Sequence, residues 1–492
     1  MLTEKEIRRF LDEDMASPLK KRAEVGQRYY EGKHDILDYR LFYFNAEGNI
    51  VEDKTRNNAK IPHPFFTELV DQGVQFVLSG GDIFKSDDEL LQKELDRYFN
   101  KNKRFMVELS ETITGMQSKG FDYMYAYKGK DDRLVFENAD CLGVAEVEGR
   151  FTEDKKDYRI YKYVDRIDKE GKTQWKILVV NDEETAYFKQ EDNGEIVVDD
   201  SVEINPRPHA TYTDETGKLY KKDGYKLLPF FRLDNNKKKK SLLEAVKPLI
   251  DDYDIHASSL TNNLVDFDTP LHVVKGFQGD DLSELQQNLK TKKIVGTDED
   301  GGVEVHTVDI PYQARQAKLD LDEKSIYKFG MGLNMHGLKD TSATTNIAIK
   351  AAYSLLELRC NKVIDQLELF LQELTEPVLA EINEQGGTKY TMDNVYFEFT
   401  PEIMSNAKEN ADIELVNAQR KQAEINTLKS LETVLDNETF MKLVCEQLDI
   451  DYEEIKSKLP DPNEAANAIA DAQGVLNNVP VEPEEGEVIE EV

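Results

Sequence analysis

Apolar and small residues recur in steps of three and four from Asn346 to Asn383, at Ala348, Ala352, Leu356, Cys360, Val363, Leu367, Phe370, Leu374 and Val378. This period predicts one long helix. At 1.5 Å of rise per residue it spans roughly 55 Å, whereas the average helix has about 11–12 residues. Pro377 falls inside the pattern and predicts a kink or a restart, because proline removes a donor and crowds the preceding turn. A polar, glycine-containing run precedes the helix, from Asn334 through His336, Lys339, Asp340, Thr341, Ser342 and Thr344 to Thr345. It reads equally as a mobile connector or as a gate that touches a partner.

A second stripe comprises Leu242, Val246, Leu249, Tyr253, Ala257, Leu260, Leu264 and Phe267. Its steps approach a heptad seam, so the helix Ser241–Phe267 calls for a neighbouring helix. Pro248 bends it locally or marks its effective start. A further helix is expected over Gln313–Phe329. Between the two lies a compact α/β insert, with strands at Leu271–Lys275 and Val303–Val308 and a short helix at Asp281–Leu289.

Upstream, Thr3-Glu-Lys-Glu6 is a capping box that opens a helix to about Asp14, and Pro18 opens another to Tyr30. Leu41–Phe44 and Ile50-Val51 flank a turn-rich Asn45–Gly48 and predict a hairpin. Helices follow through Leu69–Val77, Asp87–Asn100 and Lys103–Lys119. From Gly120 to Phe231 short alternating runs separated by charged turns predict a mostly antiparallel β section. Downstream of the long helix, Tyr390–Thr400 alternates like a strand, with Val395, Phe397 and Phe399 on one face. A polar helix is expected over Asn410–Asp436, with Val416 on its apolar stripe, and shorter helices at Phe440–Leu448 and Tyr452–Lys458. The glutamate-rich end from Pro480 is too polar to pack. The fold class is α+β, mainly helical.

The chain has 492 residues with 39% apolar content, a formal net charge of −34 and mean hydropathy −0.61. Such charge opposes binding that depends on phosphate neutralisation. The three cysteines, Cys141, Cys360 and Cys445, lie far apart, which suggests a reducing compartment and no disulfide framework. The charged N-terminus is no signal peptide, and the sequence has no apolar run long enough to span a bilayer.

Chemistry is sparse. The seven histidines are scattered without ligand spacing, so neither a metal site nor a cofactor is expected. No phosphate-binding loop or nucleophile elbow occurs. The densest acidic cluster, Asp251, Asp252 and Asp254, reads as the solvated side of an amphipathic helix; the alternative is a metal-dependent nuclease or other nucleic-acid enzyme using Asp251 and Asp254. Lys237–Lys240 is a solvated lead-in, a partner for carboxylates of a neighbouring subunit, or a DNA contact. A scaffold without a channel is a third reading of the whole chain.

The order of elements resembles the portal proteins of tailed bacteriophages, siphophage type. Leu228-Pro-Phe-Phe-Arg-Leu-Asp-Asn-Asn236 is similar to the family's lead into its stem. Leu249–Ile255 with Ser258-Ser259 and Asn262–Phe267 resembles the first stem helix, and the α/β insert sits where the family has its clip. Thr341–Lys350 followed by Leu355–Arg359 resembles the tunnel loop and long helix. The likeness runs over about 1–440 and is sharpest over 228–375; Arg232-Leu233 and the acidic tail depart from the family pattern.

The resemblance implies a wing (1–230), first stem helix (231–267), clip (268–311), second stem helix (312–333), tunnel loop (334–345), long kinked helix and wing strand (346–409), helical crown (410–478) and disordered tail (479–492). It implies a ring of about twelve copies in which each subunit meets two neighbours through different surfaces. Double-stranded DNA passes through without sequence readout, and the tunnel loop from Asn334 to Thr345 faces it. Leu242, Val246, Leu249, Tyr253, Leu260 and Leu264 pack the stem. Implied partners are the terminase large subunit, a head-completion adaptor, a scaffold protein and the major capsid protein. The implied location is the virion vertex, reached from the host cytoplasm, with no membrane. No catalytic residue is implied. At −34 per copy, such a ring carries about −400 formal charge, which repels DNA from its walls.

Overall fold

The computed structural model describes residues 2–129, 133–209, 211–213, 219–221, 227–267, 271–277, 285, 297–306, 311–334 and 346–401, with 415–416, 419–423, 426–427, 442–443 and 445. They fall into two units, Met1–Met404 and Ser405–Val492.

In the first unit, Thr3 caps helix α1 (Glu4–Ala16) by the predicted reciprocal bonds, Glu6 N–H to Thr3 Oγ1 at 3.4 Å and Thr3 N–H to Glu6 Oε2 at 2.9 Å. Ser17 caps α2 (Pro18–Tyr30), whose proline sits in the first turn, where no donor is lost. Strands β1 (Phe42–Phe44) and β2 (Ile50–Glu52) form the expected hairpin, with Phe44 opposite Ile50. Then come α3 (Phe65–Leu78), β3 (Phe84–Lys85), α4 (Glu89–Leu95) with a π turn over Asp96–Asn100, and α5 (Lys103–Lys119). Gly120, at φ +98°, ends α5 in the left-handed conformation that favours glycine.

The β section comprises β4 (Phe121–Lys128), β5 (Leu134–Ala139), β6 (Val144–Val147), β7 (Tyr158–Ile167), β8 (Thr173–Val180), β9 (Glu184–Glu191), β10 (Ile196–Val198), β11 (Arg207–Pro208), β12 (Thr211–Thr213), β13 (Leu219–Lys221) and β14 (Phe230–Asp234). The larger sheet runs β10-β9-β8-β7-β6, with β11 also on β9, and every pairing is antiparallel. The smaller runs β14-β4-β5. Helix α1 lays Ile7 and Phe10 onto the first sheet beside Ile160, Ile177 and Val179.

Helix α6 (Leu243–Phe267) begins two residues later than expected. It leads to β15 (Leu271–Phe277), which pairs antiparallel with β16 (Thr297–His306). The short helix expected at Asp281–Leu289 lies outside the described residues, except Leu285. The return helix is Tyr312–Phe329, and the long helix is Asn346–Gly386. The chain stays helical through both Pro248 and Pro377. The apolar stripe is the core face of the long helix: Leu356, Cys360, Val363, Leu367, Phe370, Leu374 and Val378 are all buried. They join α3, α5 and β14 in the largest core.

The strand expected over Tyr390–Thr400 shrinks to β17 (Tyr396–Phe397), paired with β3. Thr391 N–H donates to Asn394 Oδ1 at 3.0 Å and closes a 3₁₀ turn over Met392–Asn394. This local side-chain bond competes with the extended conformation. Val395 still enters the core, with Phe397 and Phe399 packed against it.

In the second unit, residues 415–416, 419–423 and 426–427 are helical, inside the predicted span Asn410–Asp436. Val416, on the predicted apolar stripe, is 60% exposed.

Candidate functional site

Helix α6 is held along its length by a strap, residues 57–63. Asp254 accepts the His63 N–H at 2.9 Å. One turn on, Ser258 Oγ accepts the Ile61 N–H at 3.1 Å, and Asn262 Oδ1 accepts the Ala59 N–H at 2.7 Å. Asp266 accepts from the Asn57 side chain. The helix contributes every fourth residue and the strap every second. Twelve helical residues rise about 18 Å, and six extended residues cover about 20 Å, so the two spacings stay in step. The ladder gives strap amides partners that no sheet supplies.

Asp254 is the most deeply buried group of the ladder. Its Oδ2 lies 2.7 Å from His34 Nδ1 and its Oδ1 lies 2.9 Å from His63 Nδ1. Burial pushes its carboxyl upward, but the hydrogen bonds from His34 and His63 outweigh this and hold it below the ordinary aspartate value. His34 stacks on Tyr29 with ring centroids 4.6 Å apart. Tyr29 donates its hydroxyl to Asp251, which also holds Lys247 at 2.7 Å. Asp252 pairs with Lys318 of the return helix, and Lys318 also reaches Asp322 at 2.5 Å.

Each acid of the cluster therefore has a structural partner, which removes the basis for the nuclease reading. Among the described residues, it is not the cluster on α6 but the group of acidic and thiol side chains Asp122, Asp140 and Cys141 that is compact enough for a cation. The Lys119 ammonium already sits in it, 3.1 Å from Asp122 and 2.8 Å from Asp140.

The six residues expected to pack the stem fall into three environments. Val246 is buried, and Leu242, Leu249 and Tyr253 pack half-buried against the same core. Tyr253 meets Phe65 edge-on at 4.9 Å. Leu260 is half-buried and Leu264 is 50% exposed. The fully buried face is instead Leu243, Val246, Ile250, Asp254 and Ser258, a partly polar column.

The lead into α6 is a tight turn. Asn235 and Asn236 each donate a side-chain N–H to Lys240 O, at 2.7 and 2.8 Å, and Asn236 Oδ1 accepts from the Lys238 and Lys240 amides. This is the physical content of the Asn-Asn signature: the pair closes the turn containing the four lysines. Lys239, at φ +51°, lays its ammonium 5.2 Å from the Phe121 ring centre, and burial pulls its pKa down.

Where the return helix ends, Arg359 of the long helix is buried with no carboxylate partner among the described residues. Its guanidinium donates to Gly330 O at 3.0 Å and to Leu69 O at 2.8 Å. Burial lowers its pKa. Gly73 of α3 allows this approach, since a Cβ there would lie 2.7 Å from the Arg359 side chain. Of the expected loop, Asn334 is described and donates to Glu323 at 3.1 Å; His336, Lys339, Asp340, Thr341, Ser342, Thr344 and Thr345 lie outside the described residues. Neither the strap nor Arg359 was foreseen as a fixing element, although the polar column Asp254, Ser258, Asn262, Asp266 at four-residue spacing is visible in the sequence.

Two helices joined through a strand pair, a lysine turn at their entry and a long helix held by Arg359 near their exit make up this part of the chain. The family model "Phage portal protein, SPP1 Gp6-like" matches residues 17–449, and the chain belongs to that family. It is similar to the portal protein of Bacillus phage SPP1, 28% identical over 363 residues that cover 72% of this chain and 68% of that protein. It is also 30% identical over 191 residues to the portal protein of Clostridium phage phiCD119, covering 38% of this chain and 41% of that protein. Portal proteins are structural components of the phage head that form oligomeric rings. No helix among the described residues is long and apolar enough to cross a membrane.

Proposed function

We propose that this chain forms a ring of about twelve copies at one capsid vertex, each copy meeting its neighbours through two different surfaces. Double-stranded DNA enters through the ring during packaging and leaves through it at ejection. The observation that carries this reading is the family match across residues 17–449. In it, residues 1–230 with much of the long helix form the wing. Helix α6 and the return helix form the stem, and 268–311 form the clip, which docks the terminase large subunit and then a head-completion adaptor. Residues 334–345 line the tunnel, and the crown begins near Asn410. Scaffold and major capsid proteins surround the ring in the host cytoplasm before it becomes part of the virion.

The physics of the chain supports a conduit. A net charge of −34 per copy keeps DNA from adhering to the walls, and a few cations guide it. Passage of any sequence requires the absence of base readout, so a smooth acidic wall suits it. The stem residues left partly open within one copy, Leu260 and Leu264, are satisfied by a neighbouring stem. The test is a packaging reaction with procapsids assembled with and without this chain. DNase-protected DNA appears only in heads that contain it; equal protection in heads lacking it contradicts the proposal.

A further inference from the structure

The β1–β2 hairpin exposes apolar side chains on both of its faces. Phe42, Phe44 and Ile50 are 55%, 73% and 67% exposed, and Tyr43 and Val51 are 46% and 37% exposed. Successive side chains alternate between faces, so both faces carry exposed apolar side chains. A two-stranded ribbon this short is marginal in water, and a concentration of exposed aromatic surface marks an interaction site.

The hairpin is nevertheless firmly built. Asn45 Oδ1 accepts the Glu47 and Asn49 amides at 3.1 and 2.8 Å, and Gly48 supplies φ +79° for the turn. At the base, the Asp53 N–H donates to Leu41 O at 2.8 Å. The Asp53 carboxylate gathers the Thr55 amide at 2.9 Å and Arg56 Nε at 2.6 Å.

Its position says what covers it. Asn58 Nδ2 donates to Tyr39 O at 3.1 Å, and the adjacent Asn57 reaches Asp266. The hairpin base is thereby fixed beside the last turns of α6, where Leu264 and Val265 are 50% and 57% exposed. Two uncovered apolar elements thus sit together at the end of the proposed stem.

We propose that the β1–β2 hairpin is an intersubunit clasp that docks on a neighbouring copy of this chain. The inference rests on the ring reading. A ring supplies the same neighbour to every copy, so one hairpin per subunit is covered without a separate partner. The strap ladder sets the angle at which the clasp leaves the stem, and so couples stem position to the contact.

The test uses the full-length chain. Unsubstituted protein and the double variant Phe44→Glu/Ile50→Glu are compared for ring formation by mass photometry over a dilution series. A photoreactive benzoylphenylalanine at position 44 is cross-linked in rings mixed from two isotope labels. The expected result is that the double variant needs about tenfold or more protein to hold rings, with its protomer melting temperature unchanged, and that cross-links join differently labelled copies. Rings from both proteins at the same concentration overturn the clasp alone, as do links confined to one copy or links in assembled heads that reach only capsid or scaffold protein. No rings from the unsubstituted chain, alone or on capsids, refute the ring reading and the clasp with it.

Discussion

Replacing Asp254 with alanine removes the acceptor at the buried end of the strap ladder. Three contacts vanish: His34 Nδ1 at 2.7 Å, His63 N–H at 2.9 Å and His63 Nδ1 at 2.9 Å. Bonds to a charged acceptor contribute about 1.5–3 kcal/mol each, but three bonds sharing one carboxylate do not add. Leaving the buried His34 ring and the His63 amide without their acceptor adds a desolvation cost, and about 3 kcal/mol is the expected loss. The loss is local, so the assay is amide hydrogen exchange. In the parent, Ala59, Ile61 and His63 amides exchange slowly while Lys60, which is absent from the ladder, exchanges fast. In Asp254→Ala the His63 amide speeds up by about a hundredfold or more, and Ile61 and Ala59, which keep Ser258 and Asn262 as acceptors, speed up by less. The effect carries a pH signature. The carboxyl lies below its ordinary value of 3.8 in the folded chain, so its contribution is present above that value and is lost as pH falls through the lower folded one. Parent and variant therefore converge in acid. Unchanged exchange at Ala59, Ile61 and His63 in the variant at neutral pH refutes the ladder as the element that fixes the strap.

Three further outcomes are expected. Arg359→Ala removes the guanidinium bonds to two buried carbonyls and lowers stability by about 2–4 kcal/mol, read as a lower melting temperature with exchange rising around Leu69 and Gly330. Gly26→Ala drives a methyl to within 2.0 Å of Ser118 O, so α2 must shift from α5 at a cost of about 1–3 kcal/mol, measured by chemical denaturation. Lys339→Glu leaves ring assembly intact but reduces packaged DNA, as counted by DNase protection; unchanged packaging removes Lys339 from the tunnel argument.

Local signals in the sequence were strong wherever one helix buried one stripe. Thr3 and Glu6 marked the first helix, and Leu356 through Val378 marked the core face of the long one, because 3.6-residue periodicity is a property of the helix alone. The two-residue strands β3 and β17 left no comparable trace, since two residues show no alternation. Tyr390–Thr400 alternated convincingly, yet Thr391 and Asn394 bonded locally and withdrew half of it. The site was less legible for a related reason. Asp254, Ser258, Asn262 and Asp266 form a polar column that reads as a solvated face until Asn57, Ala59, Ile61 and His63 are brought alongside. That pairing joins periods of four and two across about two hundred residues of sequence, and no single window contains both. Arg359 was hidden similarly: a cation among Leu355, Leu356 and Leu358 resembles a surface position, and only Gly73 and Gly330 show that it is a buried clamp.

Electron microscopy of the purified full-length chain, with class averages viewed along the axis, decides whether the ring forms. Closed rings with an open centre and about twelve-fold symmetry are the expected result. Compact single particles at micromolar concentration, with no ring at any capsid vertex either, contradict it.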